Sequence, residues 1–131
     1  MGWKFYELDR IAHKLVIDAR DRDNNLPKGK KSLPQAHEMR MVVAYGLERF
    51  WGEHLRLRVK EANKSQFWEE TWVAFVDIMR RSGVEIPDDT ANTMPEKLWA
   101  LDLETQRVAL AVLTQLCEAI IWWKQRYKTE S

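Results

Sequence analysis

The sequence predicts an all-α protein, a single-domain bundle of four to five helices around a buried C-terminal helix. Three observations predict it. Apolar residues recur at helical spacing along most of the chain, and no useful length of sequence alternates as a strand does. Gly (5) and Pro (4) are scarce among 131 residues, whereas β folds use many turns. Finally, Val108 to Trp123 runs apolar with only Thr114, Gln115 and Glu118 interrupting it. A helix that is apolar nearly all round is normally buried in a core. The run is too short for a membrane span, which needs roughly 18 or more apolar residues. No membrane association is expected.

At 131 residues the chain is long enough for one domain with a real core. A hydrophobic share of 45% beside 31% charged residues suits a globular protein and argues against disorder. Basic residues (21) and acidic ones (20) nearly cancel. Bulk charge therefore does not announce a nucleic-acid binder, and only a clustered patch could. The single cysteine, Cys117, lies in the apolar run, where a buried thiol fits a reducing cytoplasm. The first residues carry no apolar stretch of signal-peptide type, and Tyr6 stands where a myristoylation site wants Ser or Thr.

The first helix is expected over about Trp3 to Arg22. Leu8, Ile11, Ala12, Leu15, Val16 and Ala19 form its apolar stripe. His13 stands at the boundary of that stripe. Asp21 to Pro34 reads as a long loop, with Asp23-Asn24-Asn25, Leu26-Pro27 and Leu33-Pro34 as breakers. It carries Lys28, Lys30 and Lys31, which read either as a solvated loop or as a flexible basic finger for a phosphate backbone. The spacing of a P-loop is missing.

A second, long helix is expected over about Gln35 to Asn63, some 40 Å if continuous. Met39, Val42, Val43, Leu47, Phe50, Trp51, Leu55, Val59 and Ala62 make its stripe. Gly46 falls within that stripe, where it would let a neighbouring helix come close. Arg56, Lys60 and Lys64, four apart, would share one face as a basic ridge, with Arg58 beside them. The ridge suits a polyanion, and surface helices also often look this way.

A third helix is expected over about Ser65 to Ser82, with Ser65 as N-cap and Gly83 as the residue after the C-cap. Trp68, Trp72, Phe75, Val76 and Met79 face inward. After a linker, Thr93-Met94-Pro95-Glu96 reads as a capping box opening a short helix to about Leu101. The last helix extends from there to about Tyr127, either continuous with the short one or newly capped by Asp102.

No catalytic set converges. His37-Glu38 lacks the second histidine of a zinc motif, and the other histidines, 13 and 54, are scattered. Glu118, next to the buried face, reads as solvated or ion-paired. No enzyme activity, cofactor or metal is expected. The seven tryptophans are the surplus. Trp51, Trp68, Trp72 and Trp123 sit on inner stripes. Trp3, Trp99 and Trp122 are less committed, and Trp122 admits three readings: protein interface, partial burial or base stacking.

The C-terminal third resembles a known family. Leu98-Trp99-Ala100-Leu101-Asp102, then Arg107, then the apolar run ending Trp122-Trp123-Lys124-Gln125-Arg126-Tyr127, is similar to the last helix of CRISPR effector small subunits. The likeness is to the Cmr-type small subunit and to the helical C-terminal domain of the type I-D and type III large subunits. Gln125 is an insertion or substitution in the family's ending. Leu33-Pro34 matches the family's Leu-Pro step, but Gln35 to Arg40 depart from the Asn-Gly-Leu type of segment that comes after it there. The resemblance implies a small, helical, non-enzymatic subunit of a cytoplasmic ribonucleoprotein complex. Several copies of it would stack against one another and against the backbone and large subunits. They would hold guide RNA and target nucleic acid, or a displaced DNA strand, through phosphate contacts that carry no sequence code. The residues assigned to that contact are Lys28, Lys30, Lys31, Arg56, Arg58, Lys60 and Lys64. Trp99, Trp122 and Arg126 are assigned to protein interfaces. The alternative is a helical protein–protein adaptor with no nucleic-acid role.

Overall fold

The computed structural model describes residues 5–88 and 91–128. Among these residues there are six α-helices, in order α1 (Phe5–Asp23), α2 (Gln35–Val42), α3 (Leu47–Arg58), α4 (Ala62–Arg81), α5 (Met94–Trp99) and α6 (Leu103–Lys128). Two single 3₁₀ turns, Lys28–Lys30 and Val43–Tyr45, lie before α2 and after it. No strand occurs among the described residues, so the all-α class stands.

The expected second helix is two helices. The chain leaves α2 through the 3₁₀ turn and reverses at Gly46, whose φ of +102° is open to glycine and strained for any L side chain. A Cβ at Gly46 would meet nothing within 4 Å, so the glycine is there for its backbone and not for close packing. The break turns Leu47, Phe50, Trp51 and Leu57 of α3 into the core. Helix α3 then ends at Arg58, and Val59 and Ala62, placed on the stripe by periodicity, are exposed. Ser65 is not an N-cap either. It is buried inside α4 and its hydroxyl donates to the His54 carbonyl at 2.6 Å, tying α4 to α3.

Helix α4 is the centre, packing against α1, α2, α3 and α6. It buries Phe67, Trp68, Thr71, Trp72, Phe75, Ile78 and Met79. Each large side chain removed from water contributes about 1.5–3 kcal/mol. The Trp68 indole packs on Phe50 with ring centroids 4.9 Å apart and donates its N–H to Gln35 Oε1 at 2.9 Å. One side chain thus joins α2, α3 and α4. Gly83, with φ +86°, takes the helix end as the sequence indicates.

Helix α6 is buried along one row, Ala109, Leu113, Leu116, Cys117 and Ile120, all fully enclosed. This row packs against α1, α2, α3 and α4, while the opposite side of the helix faces out. Asp102 caps it, accepting the Thr105 N–H at 2.7 Å, whereas Thr93 makes no side-chain capping bond to α5. The C-terminal turns clamp α1. A 2.6 Å hydrogen bond joins the Tyr127 hydroxyl and His13 Nε2, and the Trp123 indole donates to Asp9 Oδ1 at 3.0 Å. The Arg20 guanidinium lies 4.9 Å from the Tyr127 ring centroid. His13 is therefore a polar link between the first and last helices.

Candidate nucleic-acid interface

The loop after α1 is ordered by one carboxylate. Buried Asp23 accepts the Ser32 N–H (2.7 Å), the Ser32 hydroxyl (2.9 Å) and the Leu33 N–H (2.8 Å). These bonds close residues 24–31 into a fixed bow. Asn25 turns the chain with φ +70°, a left-handed conformation that asparagine tolerates. Pro27 leads into the 3₁₀ turn, where the Lys30 N–H donates to the Pro27 carbonyl at 2.9 Å. The expected flexible finger is thus a built loop. Lys28 and Lys30 stand exposed on it and Lys31 is half-buried.

The basic ridge is also changed. Arg56 lies in α3, Lys60 in the turn after it and Lys64 in α4, so the three do not share a helix face. Four-residue spacing sets residues on one face only while the helix continues, and here it stops at Arg58. Arg56 donates a fork to Glu53, with Nε to Oε1 at 2.7 Å and Nη2 to Oε2 at 2.8 Å. Glu53 holds the Arg56 guanidinium above its ordinary pKa. Lys64 donates to Glu61 at 2.7 Å and is half-buried. The Lys64 bond is the main cause that lowers the Glu61 carboxyl, with the charges of Lys30 and Arg56 adding to it.

What the structure brings together is one residue from the loop and two from the end of α3. Lys30, Arg56 and Lys60 line a hollow of about 320 Å³, with Leu57 as its floor and Glu61 in its wall. Periodicity could not join Lys30 to the other two, because they are separated by α2 and the Gly46 reversal. Arg58 lies elsewhere. It lines a larger hollow of about 920 Å³ beside α4, in the company of Glu69, Glu70, Asp77 and Asp88. Those carboxylates make that hollow unsuited to a polyanion.

The residues assigned to protein contact are all exposed. Trp99 and Trp122 are both exposed large aromatics. Arg126 is exposed, with its guanidinium 5.9 Å from the Trp123 ring centroid. Trp3 lies outside the described residues. Glu118 is ion-paired, accepting from Arg40 Nε at 3.2 Å. Cys117 is enclosed, and burial pushes its thiol up to about 12. A thiol held protonated is a poor nucleophile. Among the described residues no group of three or more His, Cys, Asp or Glu could hold a metal ion, and no helix is long and apolar enough to cross a membrane. No protein-family model, curated protein or solved structure matches this chain.

Proposed function

We propose that the protein is a non-catalytic small subunit of an RNA-guided CRISPR effector complex, holding nucleic acid by its phosphates. The observation that carries the reading is the meeting of Lys30, Arg56 and Lys60 around one hollow, on a protein whose total charge is near zero. A localised cationic site on a neutral body attracts a phosphate backbone at one place and leaves the remaining surface for neighbouring subunits. The C-terminal pattern, from Leu98 to Tyr127, supports the choice of complex. The partners are guide RNA and target strand at the hollow, the backbone and large subunits around it, and further copies of the chain.

Chemically, Lys30 and Lys60 serve as point charges for phosphate oxygens. Arg56, oriented by Glu53, keeps its remaining N–H groups for a second phosphate. None of these groups reads a base, so binding is sequence-independent.

The test is fluorescence anisotropy of a labelled single strand of about 20 nucleotides, titrated with the full chain between roughly 0.05 and 0.2 M salt. Binding should weaken steeply with salt and be equal for unrelated sequences. The variant Lys30→Glu/Arg56→Glu/Lys60→Glu should lose affinity about tenfold or more and flatten the log–log salt slope by about 2, at roughly 0.7 per phosphate contact. Arg58→Glu should bind as the parent does. Parent-like binding by the triple variant would remove the site. An absence of binding, together with a protein partner lost on Trp99→Ala/Trp122→Ala, would favour the adaptor, which the two exposed indoles support.

A further inference from the structure

The outward row of α6 reads alike from either end. Leu103, Arg107, Ala111, Thr114, Glu118 and Trp122 stand at spacings of four, four, three, four and four. At 100° per residue they fall within an arc of about 100° on the side away from the buried row. From the N-terminal end the order is apolar, cation, small. From the C-terminal end it is apolar, anion, small. Thr114 is half-buried and the rest are exposed, Leu103 by 67% and Trp122 by 55%.

We propose that this face binds a second copy of the chain, with the two α6 helices antiparallel about a two-fold axis passing between Val112 and Leu113. That arrangement sets Leu103 of one copy on Trp122 of the other, Arg107 on Glu118, and Ala111 on Thr114. Small residues stand at the middle, where the helices come closest, and the large apolar ones cover the two ends. Rows of residues four apart are the ridges by which helices most often pack.

Charge decides the orientation. A parallel pair would set Arg107 on Arg107 and Glu118 on Glu118. The antiparallel pair makes two opposite-charge contacts, one at each end. Beside Trp122 there is also a place for the incoming arginine. A hollow of about 320 Å³ is lined by Asp9, Gln115, Glu118, Ala119 and Trp122. Two carboxylates beside an indole are the groups that take a guanidinium. Both carboxylates keep capacity for it. Asp9 gives Oδ1 to the Trp123 indole, and the Glu118 side chain is 59% exposed beside Arg40. The Arg107 side chain is 71% exposed and lies 3.9 Å from Glu104.

The row is about 28 Å long from Leu103 to Trp122. One helix face of that length falls at the low end of specific interfaces, below roughly 1,200 Å², so the pair is reversible. Being isologous, this face pairs two copies and leaves no open end of its own, so any additional copy would use another face. It deepens the reading above, which names further copies of the chain as partners, and its test involves no nucleic acid, so the two fail separately.

Sedimentation velocity on the full chain from about 1 to 200 µM tests it. The parent should pass from monomer to dimer within that range. Arg107→Glu and Glu118→Arg should each weaken the dimer about tenfold or more, because each change acts twice in a two-fold pair. The combined variant Arg107→Glu/Glu118→Arg restores opposite charges and should recover the dimer. Ala111→Arg, a change at an exposed position, should abolish it while circular dichroism shows the fold retained. A parent that stays monomeric overturns the proposal, including one that captures an arginine-bearing partner instead. So does a dimer indifferent to Ala111→Arg, or a combined variant that does not recover.

Discussion

Helices α4 and α6 are the two longest in the molecule and are used in opposite ways. Helix α4 carries Glu69, Glu70, Thr71 and Asp77, yet it buries Phe67, Trp68, Trp72 and Phe75, most of the enclosed large aromatics. Helix α6 has the more apolar sequence and encloses only one row of it. The difference is not one of neighbours, since α4 packs against α1, α2, α3 and α6, and α6 against α1, α2, α3 and α4; it lies in which side chains meet them. Helix α4 has α3 folded back on it through Val59-Lys60-Glu61, with α1 and α2 across the other side. Helix α6 meets its neighbours with a row of aliphatic and small side chains, Ala109, Leu113, Leu116, Cys117 and Ile120. Its surplus apolar residues, Leu103, Val108 and Trp122, remain outside. An apolar helix is thus evidence for burial somewhere, within the chain or beyond it.

Three measurements sharpen or break this contrast. The largest effect belongs to Trp68→Ala in α4. It opens a cavity where three helices meet and leaves Gln35 Oε1 without its donor, so urea unfolding should show a loss of about 3–5 kcal/mol. A loss under about 1 kcal/mol would mean that α4 is not the centre.

The next effect reports the inner row of α6. Burial keeps the Cys117 thiol protonated in the folded chain up to about 12, whereas an unfolded cysteine ionises near 8.5. Above roughly pH 9 the unfolded chain has lost that proton and the folded one retains it. Stability should therefore fall with rising pH by about 1.4 kcal/mol per unit from this group, and be unaffected by it below about pH 8. Cys117→Ala removes that slope. Unfolding of both proteins at pH 8 and 10 separates it from lysine and tyrosine titration, and equal slopes would place Cys117 in contact with solvent.

The smallest effect reports the outer face. Trp122→Ala, at concentrations where the chain is monomeric, should change stability by no more than about 0.5 kcal/mol. A tryptophan that cost several times that amount would belong to the intrachain core, and α6 would resemble α4 after all.

The fold was legible where periodicity alone decides. The stripe Leu8, Ala12, Leu15, Val16 and Ala19 is buried as read, and so are Trp68, Trp72, Phe75 and Met79, with Ile11 and Val76 of the same stripes half-buried. Gly83 and Asp102 mark helix ends as turn chemistry dictates. Gly46 was not legible, because a glycine inside an apolar pattern serves equally for close packing and for a reversal, and only the backbone angle separates the two. Missing that reversal and the stop at Arg58 is what turned Arg56, Lys60 and Lys64 into a ridge. The hollow that joins Lys30 to Arg56 and Lys60 depends on the path of the chain between them, on which local spacing is silent. Trp99 and Trp122, left uncommitted by the periodicity, are exposed, and only the packing of the finished bundle decides this.

Under the proposed function, the Asp23 clasp has a consequence for how a strand would be met. Fixing a residue's backbone costs roughly 1–2 kcal/mol of conformational entropy, and a loose loop of lysines would incur that cost each time it met a strand. Three hydrogen bonds to one buried carboxylate set residues 24–31 in place as the chain folds. A polyanion that reaches Lys28 and Lys30 meets charges already in position, and the electrostatic gain is not diminished by ordering the loop. Asp23, an acidic residue out of reach of solvent, thereby sets the position of an exposed basic surface.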